Sequence, residues 1–226
     1  MDVREKNSAG TVARKAGGPL ARDKVFAVAA DLFYRKGVQA VGVEEIVSEA
    51  GVAKISLYRN FASKDDLVVA YLKDRSAKFL HEWDRRFDRY HDNPRAQLRA
   101  IMTYIAERTT RDGYRGCPFI NFCGEFPERS HPGRHMAQAT KTALRQRFLR
   151  LAEALRAPEP RELANGFLLL VEGAYAISQT LGGGSDGAGH SLVWASEALL
   201  AGQTKAKPRS AKRVRASNPR KGSTAL

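Results

Sequence analysis

Apolar residues recur every three or four positions along most of the chain, which is the spacing that one buried face of an α-helix produces. From residue 19 onward, only glycine, proline and short polar stretches interrupt this pattern. No segment alternates with a period of two residues over a useful length, so we predict an all-α fold without a sheet. The predicted helices include 43–50, 54–61, 136–155, 163–181 and 191–201.

Short motifs mark the beginnings of two further helices. Ser63 precedes Asp66 by three residues, an arrangement in which the serine caps a helix start. Asn93 followed by Pro94 is a capping residue followed by a residue that the first helical turn favours. By contrast, residues 111–133 are rich in Gly, Pro, Cys and Phe, and we expect them to interrupt regular structure.

The two short helices, joined by a turn at Gly51, have the pattern of a helix-turn-helix unit. Ile46, Val47 and Leu57 are spaced to pack both helices against the helix before them. The second short helix then presents polar groups outward, as a DNA-reading helix must when its N-terminal end enters the major groove. The alternative is a structural three-helix unit with a solvated polar face. The outward residues are Lys54, Ser56, Tyr58, Arg59 and Asn60.

Residues 29–72, "AADLFYRKGVQAVGVEEIVSEAGVAKISLYRNFASKDDLVVAYL", resemble the N-terminal domain of the TetR family of transcriptional regulators. The shared features are Leu-Phe at the end of the first helix, an Ala-Gly-Val turn, Leu-Tyr-x-x-Phe in the third helix and Ser-Lys-x-x-Leu at the start of the fourth. This resemblance implies an N-terminal helix-turn-helix domain followed by a helical ligand-binding and dimerisation domain. It also implies a ligand-responsive regulator, in our interpretation a repressor that a small molecule releases from a near-palindromic operator.

The resemblance assigns roles to individual residues. Lys54 and Ser56 stand where family members contact bases or phosphates, Tyr58 matches a tyrosine that reaches the DNA backbone, and Lys64 matches a phosphate-contacting lysine. Two positions depart from the family pattern: Ala53 replaces a frequent Ser or Thr cap, and Ile55 a frequent glycine. We expect DNA contacts from Val43, Lys54, Ile55, Ser56, Tyr58, Arg59, Asn60 and Lys64.

The resemblance also implies a domain organisation and a homodimer. By this resemblance, the last two predicted helices of the chain, about 163–181 and 191–201, form a four-helix dimer interface with a second copy. The first of them is apolar nearly all round, which independently indicates deep burial or a shared surface. The predicted divisions are a disordered arm at 1–18, a DNA-binding domain at 19–65, a ligand-binding and dimerisation domain at 66–202, and a disordered basic tail at 203–226.

Aromatic and apolar residues of the larger domain suggest a pocket for an apolar or aromatic effector. The alternative is that most of them form the core. Glu172 stands within an apolar helix, where it bonds either a ligand, a partner chain or a group in the core. The predicted lining is Trp83, Phe87, Met102, Ile105, Phe119, Phe122, Phe126, Phe148 and Tyr175.

Cys117 and Cys123 lie near Arg111 and Arg115, and cationic neighbours favour reactive thiolates. They therefore suggest a thiol or redox sensor as a second sensing mode, against the alternative of two small packed residues. Two cysteines do not make a disulfide framework, which suits a reducing compartment.

Residue patterns for catalysis or metal binding are weak. His131 and His135 are four apart, but Pro132 and Gly133 between them indicate a loop, so we predict no metal site. No nucleophile–base arrangement, phosphate loop or cofactor motif is legible, and we predict a protein that is not an enzyme and has no cofactor.

The charge of the chain supports a nucleic-acid partner. It carries 38 Lys and Arg against 24 Asp and Glu, a net charge of +14, and eight of the basic residues lie in 203–226 without an acidic residue. Such a tail adds sequence-independent phosphate contacts, or is merely solvated. An architectural DNA-binding protein without a ligand is the alternative function. We see no signal peptide and no membrane span, and expect a cytoplasmic protein.

Overall fold

The structure is a computed structural model that describes residues 21–182 and 187–203. Within these ranges the chain forms α-helices and one 3₁₀ turn, at Ala188–Ser191, and no strand. The prediction of an all-α fold is therefore confirmed. The predicted arm at 1–18 and the basic tail after residue 203 lie outside the described residues. The helices are α1 (Ala21–Lys36), α2 (Val43–Ala50), α3 (Lys54–Asn60), α4 (Lys64–Asp88), α5 (Pro94–Thr109), α6 (Pro118–Glu125), α7 (Pro132–Ala154), α8 (Pro160–Thr180) and α9 (Leu192–Gln203).

The capping residues act as predicted at the beginnings of α4 and α5. The Ser63 hydroxyl oxygen accepts a hydrogen bond from the Asp66 backbone N–H at 3.0 Å, which satisfies one of the free donors of the first turn of α4. The Asn93 carboxamide oxygen accepts from the Ala96 N–H at 3.0 Å, and Pro94 opens α5. Gly51 ends α2 with a left-handed backbone, φ 63°, that a glycine adopts readily.

The prediction that 111–133 is irregular is wrong in two places. Residues 118–125 form helix α6, and α7 begins at Pro132, so that His135 lies in its first turn. Both helices begin with proline, which fits a first turn because its missing N–H would have no partner there. A composition rich in Gly and Pro therefore marked helix starts in this segment as well as loops.

The chain divides into two compact units. Of the described residues, 21–76 and 118–137 form the first unit, and 77–117, 138–182 and 187–203 form the second unit. Helices α4 and α7 contribute residues to both. The predicted division into a DNA-binding and a ligand-binding domain stays a prediction about function.

The first unit has its core where α1, α2 and α3 contact one another. Its buried side chains include the residues that the helix-turn-helix pattern places inward: Ile46, Val47 and Leu57 are at most 7% exposed. Phe33 and Tyr71 meet edge to face, with ring centroids 5.7 Å apart. These contacts hold α3 in place by its inner side.

The core of the second unit is built around three aromatic rings. Trp83 meets Phe148 edge to face at 4.9 Å, and Phe148 lies 5.7 Å from Phe167. All three are at most 1% exposed, so each contributes the roughly 1.5–3 kcal/mol expected of a fully buried large apolar side chain. Helices α5, α8 and α9 pack against one another beside them. No helix in the described ranges has the length and apolar character needed to cross a membrane.

Candidate functional sites

Helix α3 separates its inner and outer residues as a reading helix requires. Leu57 is fully buried, whereas Ile55 is 59% and Tyr58 44% exposed. Lys54, Arg59 and Asn60 are also exposed, and Ser56 is half-buried. One side of this short helix therefore packs on the first unit, while the other presents a mixed cationic, aromatic and aliphatic surface.

The Lys54 ammonium at the beginning of α3 pairs with the Glu44 carboxylate on α2. This hydrogen bond raises the pKa of Lys54 above its ordinary value. Because both side chains are well exposed, the pair contributes little to stability. The pair does fix the position of the lysine, because it holds the Lys54 ammonium beside the N-terminus of α3.

Arg59 and Asn60 differ in how freely their polar groups face solvent. Arg59 makes no ion pair with any described residue. The Asn60 carboxamide donates to the Ser56 backbone carbonyl at 2.7 Å, one turn back on the same helix. The Arg59 guanidinium therefore faces solvent without a carboxylate partner, whereas the Asn60 amino group is engaged within its own helix. That either residue contacts DNA stays a prediction.

The two departures at the beginning of α3 have structural consequences. Ala53 occupies the N-cap with an extended backbone and makes no side-chain capping bond. Such a bond contributes about 1 kcal/mol where Ser or Thr stands. Ile55 is the most exposed large apolar residue in the described part of the first unit. Together they place small and apolar groups at the end of the helix that would approach DNA first.

Val43 and Lys64 lie beside α3 at helix beginnings. Val43 opens α2 and is half-buried. Lys64 opens α4 and is also half-buried, and this burial lowers its pKa while the carboxylates of Asp65 and Glu125 oppose the shift. These two predicted contacts are therefore less accessible than the outer residues of α3.

Helix α6 is fastened to the loop between α1 and α2 within the first unit. The Glu125 carboxylate accepts from the Gln39 N–H at 2.7 Å, and the Gln39 carboxamide donates to the Glu125 carbonyl. At Gly37, φ is 92° and a Cβ would lie only 2.9 Å from the same carboxylate. Only a glycine satisfies both the backbone conformation and the close approach. The sequence could not reveal this contact, because the partners are 86 residues apart.

His131 packs against aromatic rings in the first unit. Its ring lies 4.8 Å from Phe126 and 5.2 Å from Phe122, and its Nε2 is 3.6 Å from the Asp65 carboxylate. Among the described residues, no three His, Cys, Asp or Glu side chains come together as metal ligands.

The predicted pocket residues belong to two groups. Phe119, Phe122 and Phe126 are in the first unit, where Phe122 and Phe126 stack at 4.5 Å. The other six are in the second unit, and all but the half-buried Phe87 are buried. They are Trp83, Phe87, Met102, Ile105, Phe148 and Tyr175. That they line an effector pocket stays a prediction.

A polar cluster lies inside the second unit, where the pattern of apolar residues suggested only core. Lys141 on α7 donates to the Glu172 carboxylate at 2.5 Å and to the Cys117 sulfur at 3.3 Å. Its ammonium also stands 5.6 Å from the Tyr175 ring. Glu172 is therefore paired within the chain, and Cys117 is buried beside a lysine, while the side chains of Arg111 and Arg115 are exposed. Cys123 is half-buried in the first unit.

The last two helices expose large apolar side chains. Leu169 is 73% and Trp194 74% exposed, and Leu181 directly after α8 is 75% exposed. Ile177 adds to the same set at 38%. Large apolar groups concentrated on two packed helices are typical of a protein interface.

Comparison with known proteins places this geometry in a family. The model of the bacterial regulatory proteins of the tetR family matches residues 25–71. A TetR-type transcriptional regulator of Streptomyces avermitilis is 30% identical in a crystal structure, with 81% of this chain and 98% of that chain covered and a TM-score of 0.71. This chain belongs to the TetR family.

Two further relatives extend the comparison. A TetR-family regulator of Streptomyces coelicolor shares the fold, with a TM-score of 0.74, 24% identity and coverage of 81% of this chain and 96% of that one. The HTH-type transcriptional activator FasR of Mycolicibacterium smegmatis is 33% identical over 117 residues, which are 49% of this chain and 52% of FasR. The chain spans about half the length of the curated relatives it matches. The TetR family consists of transcriptional regulators and not of enzymes, and its helix-turn-helix match lies wholly in the first unit.

Proposed function

We propose that this TetR-family protein is a ligand-responsive repressor that acts in the cytoplasm and binds a near-palindromic operator as a homodimer. The observation that carries this proposal is the outer surface of α3. There the exposed Tyr58 and Arg59 and the paired Lys54 project from a helix whose inner residue Leu57 is fully buried. Such a helix can enter a major groove without disturbing its own core.

The exposed apolar residues of α8 and α9 support the dimer. Leu169, Leu181 and Trp194 are each about three-quarters exposed, and burying them between two copies would be favourable. A two-fold dimer repeats the reading helix, so we expect two half-sites with two-fold symmetry. Trp194→Glu should turn the dimer into a monomer in analytical ultracentrifugation and abolish tight operator binding.

The fastening of α6 supports a ligand response. Glu125 on α6 contacts Gln39 in the loop that precedes α2. A displacement of α6 would therefore also displace this loop and the helix-turn-helix that follows it. We expect Glu125→Ala to keep operator binding while weakening release by effector. FasR is an activator by its name, so a promoter–reporter assay decides whether this chain represses or activates.

The test of DNA binding begins with selection of duplexes from a random pool. Footprinting should show one short symmetric protected site, and fluorescence anisotropy should give a steep dependence on salt. Arg59→Ala should weaken binding tenfold or more, since one charge-assisted phosphate contact is lost. Arg150→Ala, an exposed arginine on α7, is the matched control and should change affinity less than twofold. Uniform coating of DNA without a preferred site would instead support an architectural protein.

A thiol signal is the second candidate for the sensing mode, and the contact of Lys141 with Cys117 favours it. A cation that donates to the sulfur is typical of reactive cysteines. If oxidant or electrophile is the signal, then mild peroxide should release DNA from the wild type but not from Cys117→Ser. Unchanged release in a Cys117→Ser/Cys123→Ser variant would rule this mode out.

A further inference from the structure

The half-buried arginines of the second unit differ in their partners. There are three in its described part: Arg86, Arg108 and Arg147. Arg147 makes two hydrogen bonds to the Asp84 carboxylate, at 3.0 and 2.8 Å, and Arg86 pairs with Glu82. Arg108 pairs with no carboxylate among the described residues, although its burial is comparable.

The surroundings of Arg108 are aromatic and uncharged. Its Nη1 donates to the Tyr104 hydroxyl at 3.0 Å, and its guanidinium stands 5.7 Å from the Phe79 ring and 5.5 Å from the Tyr104 ring. Tyr175 and Tyr114 are close enough to interact with its charge. Its Nε is buried and has no hydrogen-bond partner in the described structure.

A guanidinium withdrawn from water is costly unless an anion and hydrogen-bond acceptors replace its hydration. Stacking on aromatic rings offsets part of this cost. Such stacking provides no acceptor for the Nε hydrogen of Arg108. Arg86 also stacks on Tyr104, at 3.9 Å from the ring, but it has the Glu82 carboxylate as a partner in addition. Glu172 cannot serve Arg108 in this way while it is engaged by Lys141.

Tyr104 links Arg108 to an open cleft. The cleft has a volume of about 460 Å³, and the same tyrosine whose hydroxyl accepts from Arg108 forms part of its wall. Its lining includes the guanidiniums of Arg86, Arg89 and Arg99 and the carboxylate of Glu107. Arg86 is paired with Glu82 and Arg99 with Glu197. Arg89 pairs with no carboxylate among the described residues, and a cation without such a partner at the wall of a cleft attracts anions from solution.

We propose that Arg108 binds the carboxylate of an organic-acid effector, while the rings of Phe79, Tyr104 and Tyr175 hold its apolar part. This inference rests on the proposed function, because it names the chemical class of the small molecule that the regulator senses. Planar guanidinium and planar carboxylate can form two parallel hydrogen bonds, and the free Nε is one of the two donors that this geometry uses.

Isothermal titration calorimetry tests the proposal with defined acids and their uncharged amides: benzoate, phenylacetate and hexanoate against benzamide, phenylacetamide and hexanamide. At least one acid should bind the wild type at least tenfold more tightly than its amide. Arg108→Gln should lose at least tenfold in affinity for that acid. Arg147→Gln also removes a half-buried arginine of this unit, and as the matched control it should bind within twofold of the wild type. Equal binding of acid and amide, or no binding by any of the three acids, would overturn the proposal.

Folding of the variants is checked by circular dichroism and by binding to the selected operator. If Arg108→Gln does not fold, Arg108→Lys replaces it. That variant should keep part of the preference for the acid over the amide because it retains the charge but not the fork of donors. Wild-type affinity for the acid in a folded Arg108 variant also overturns the assignment.

Measuring release of operator DNA by the same compounds distinguishes failure of this proposal from failure of the proposed function. If the acid binds through Arg108 but does not release DNA, the site stands and the release mechanism fails. If neutral compounds release DNA and the acids do not, the regulator is ligand-responsive and Arg108 is not its anchor.

Discussion

The first unit presents polar side chains of α3 to solvent, whereas the second unit encloses several polar side chains in its interior. In the first unit, α3 buries Leu57 and turns Lys54, Tyr58 and Arg59 outward. In the second unit, Lys141 pairs with Glu172 beside the buried Cys117, and Arg108 lies among aromatic rings.

The two units are therefore suited to different kinds of partner. Outward cations meet a polyanion, which arrives from solution and needs no cavity. Inward polar groups are costly unless they are paired, so they are typical of a binding site that a small molecule completes or of a network that the fold itself satisfies. Lys141 and Glu172 satisfy each other, whereas Arg108 lacks a carboxylate among the described residues.

The largest expected effect tests the separation of inner and outer residues on α3. Leu57→Ala should destabilise the protein by about 2–5 kcal/mol, because it removes a fully buried side chain and leaves a cavity. Ile55→Ala, two residues away and exposed, should change stability by less than about 0.5 kcal/mol. Urea unfolding measures both. Equal losses would show that α3 does not turn Ile55 toward solvent.

The next effect tests the polar interior of the second unit. Lys141→Met should cost about 1–3 kcal/mol, since the half-buried Glu172 carboxylate loses its charged partner. The double variant Lys141→Met/Glu172→Leu should recover most of this loss, because neither polar group is then left alone. Thermal unfolding of the four proteins gives the coupling, and additive losses would contradict the pairing.

A smaller effect tests the helix beginnings of the first unit. Ser63→Ala should lower the free energy of unfolding by about 1 kcal/mol because the Asp66 N–H loses its acceptor. The converse change, Ala53→Ser, should raise it by up to about 1 kcal/mol, since the extended backbone at Ala53 already suits a cap. Urea unfolding again provides the measurement, and no gain at Ala53 would indicate strain in that turn.

The smallest effect is the pH dependence of the ion pairs that Glu82 makes in the second unit. Hydrogen bonds from Arg85 and Arg86 lower the pKa of Glu82 from 4.5 to about 2. A carboxyl whose pKa is lowered by folding stabilises the fold at pH values above its ordinary pKa. This contribution is lost as the pH falls through its pKa in the folded state. The difference in Tm between wild type and Glu82→Gln should therefore shrink as the pH is lowered from 4.5 to about 2. It should also shrink at high salt, which screens the ion pairs. A difference independent of pH would exclude the ion pair as its source.

Local patterns predicted much of this molecule. The boundaries of α2 and the beginnings of α4 and α5 follow from Gly51, Ser63 and Asn93, because capping and turn preferences act within a few residues. The apolar period likewise predicted which side of α3 is buried. Helix α6 was missed because Pro118 was interpreted as an interruption although it opens the helix.

Contacts between distant residues could not be predicted in this way. The sequence determined that the chain is all-α, that α3 alternates core and surface residues, and that its first 50 or so structured residues resemble the TetR family. The contacts of Gln39 with Glu125 and of Lys141 with Cys117 became visible in the folded chain alone. So did the position of Arg108 among aromatic rings. The physical reason is that periodicity and capping depend on neighbours along the chain, whereas the partner of a buried polar group is chosen by packing among helices that the sequence separates by tens of residues.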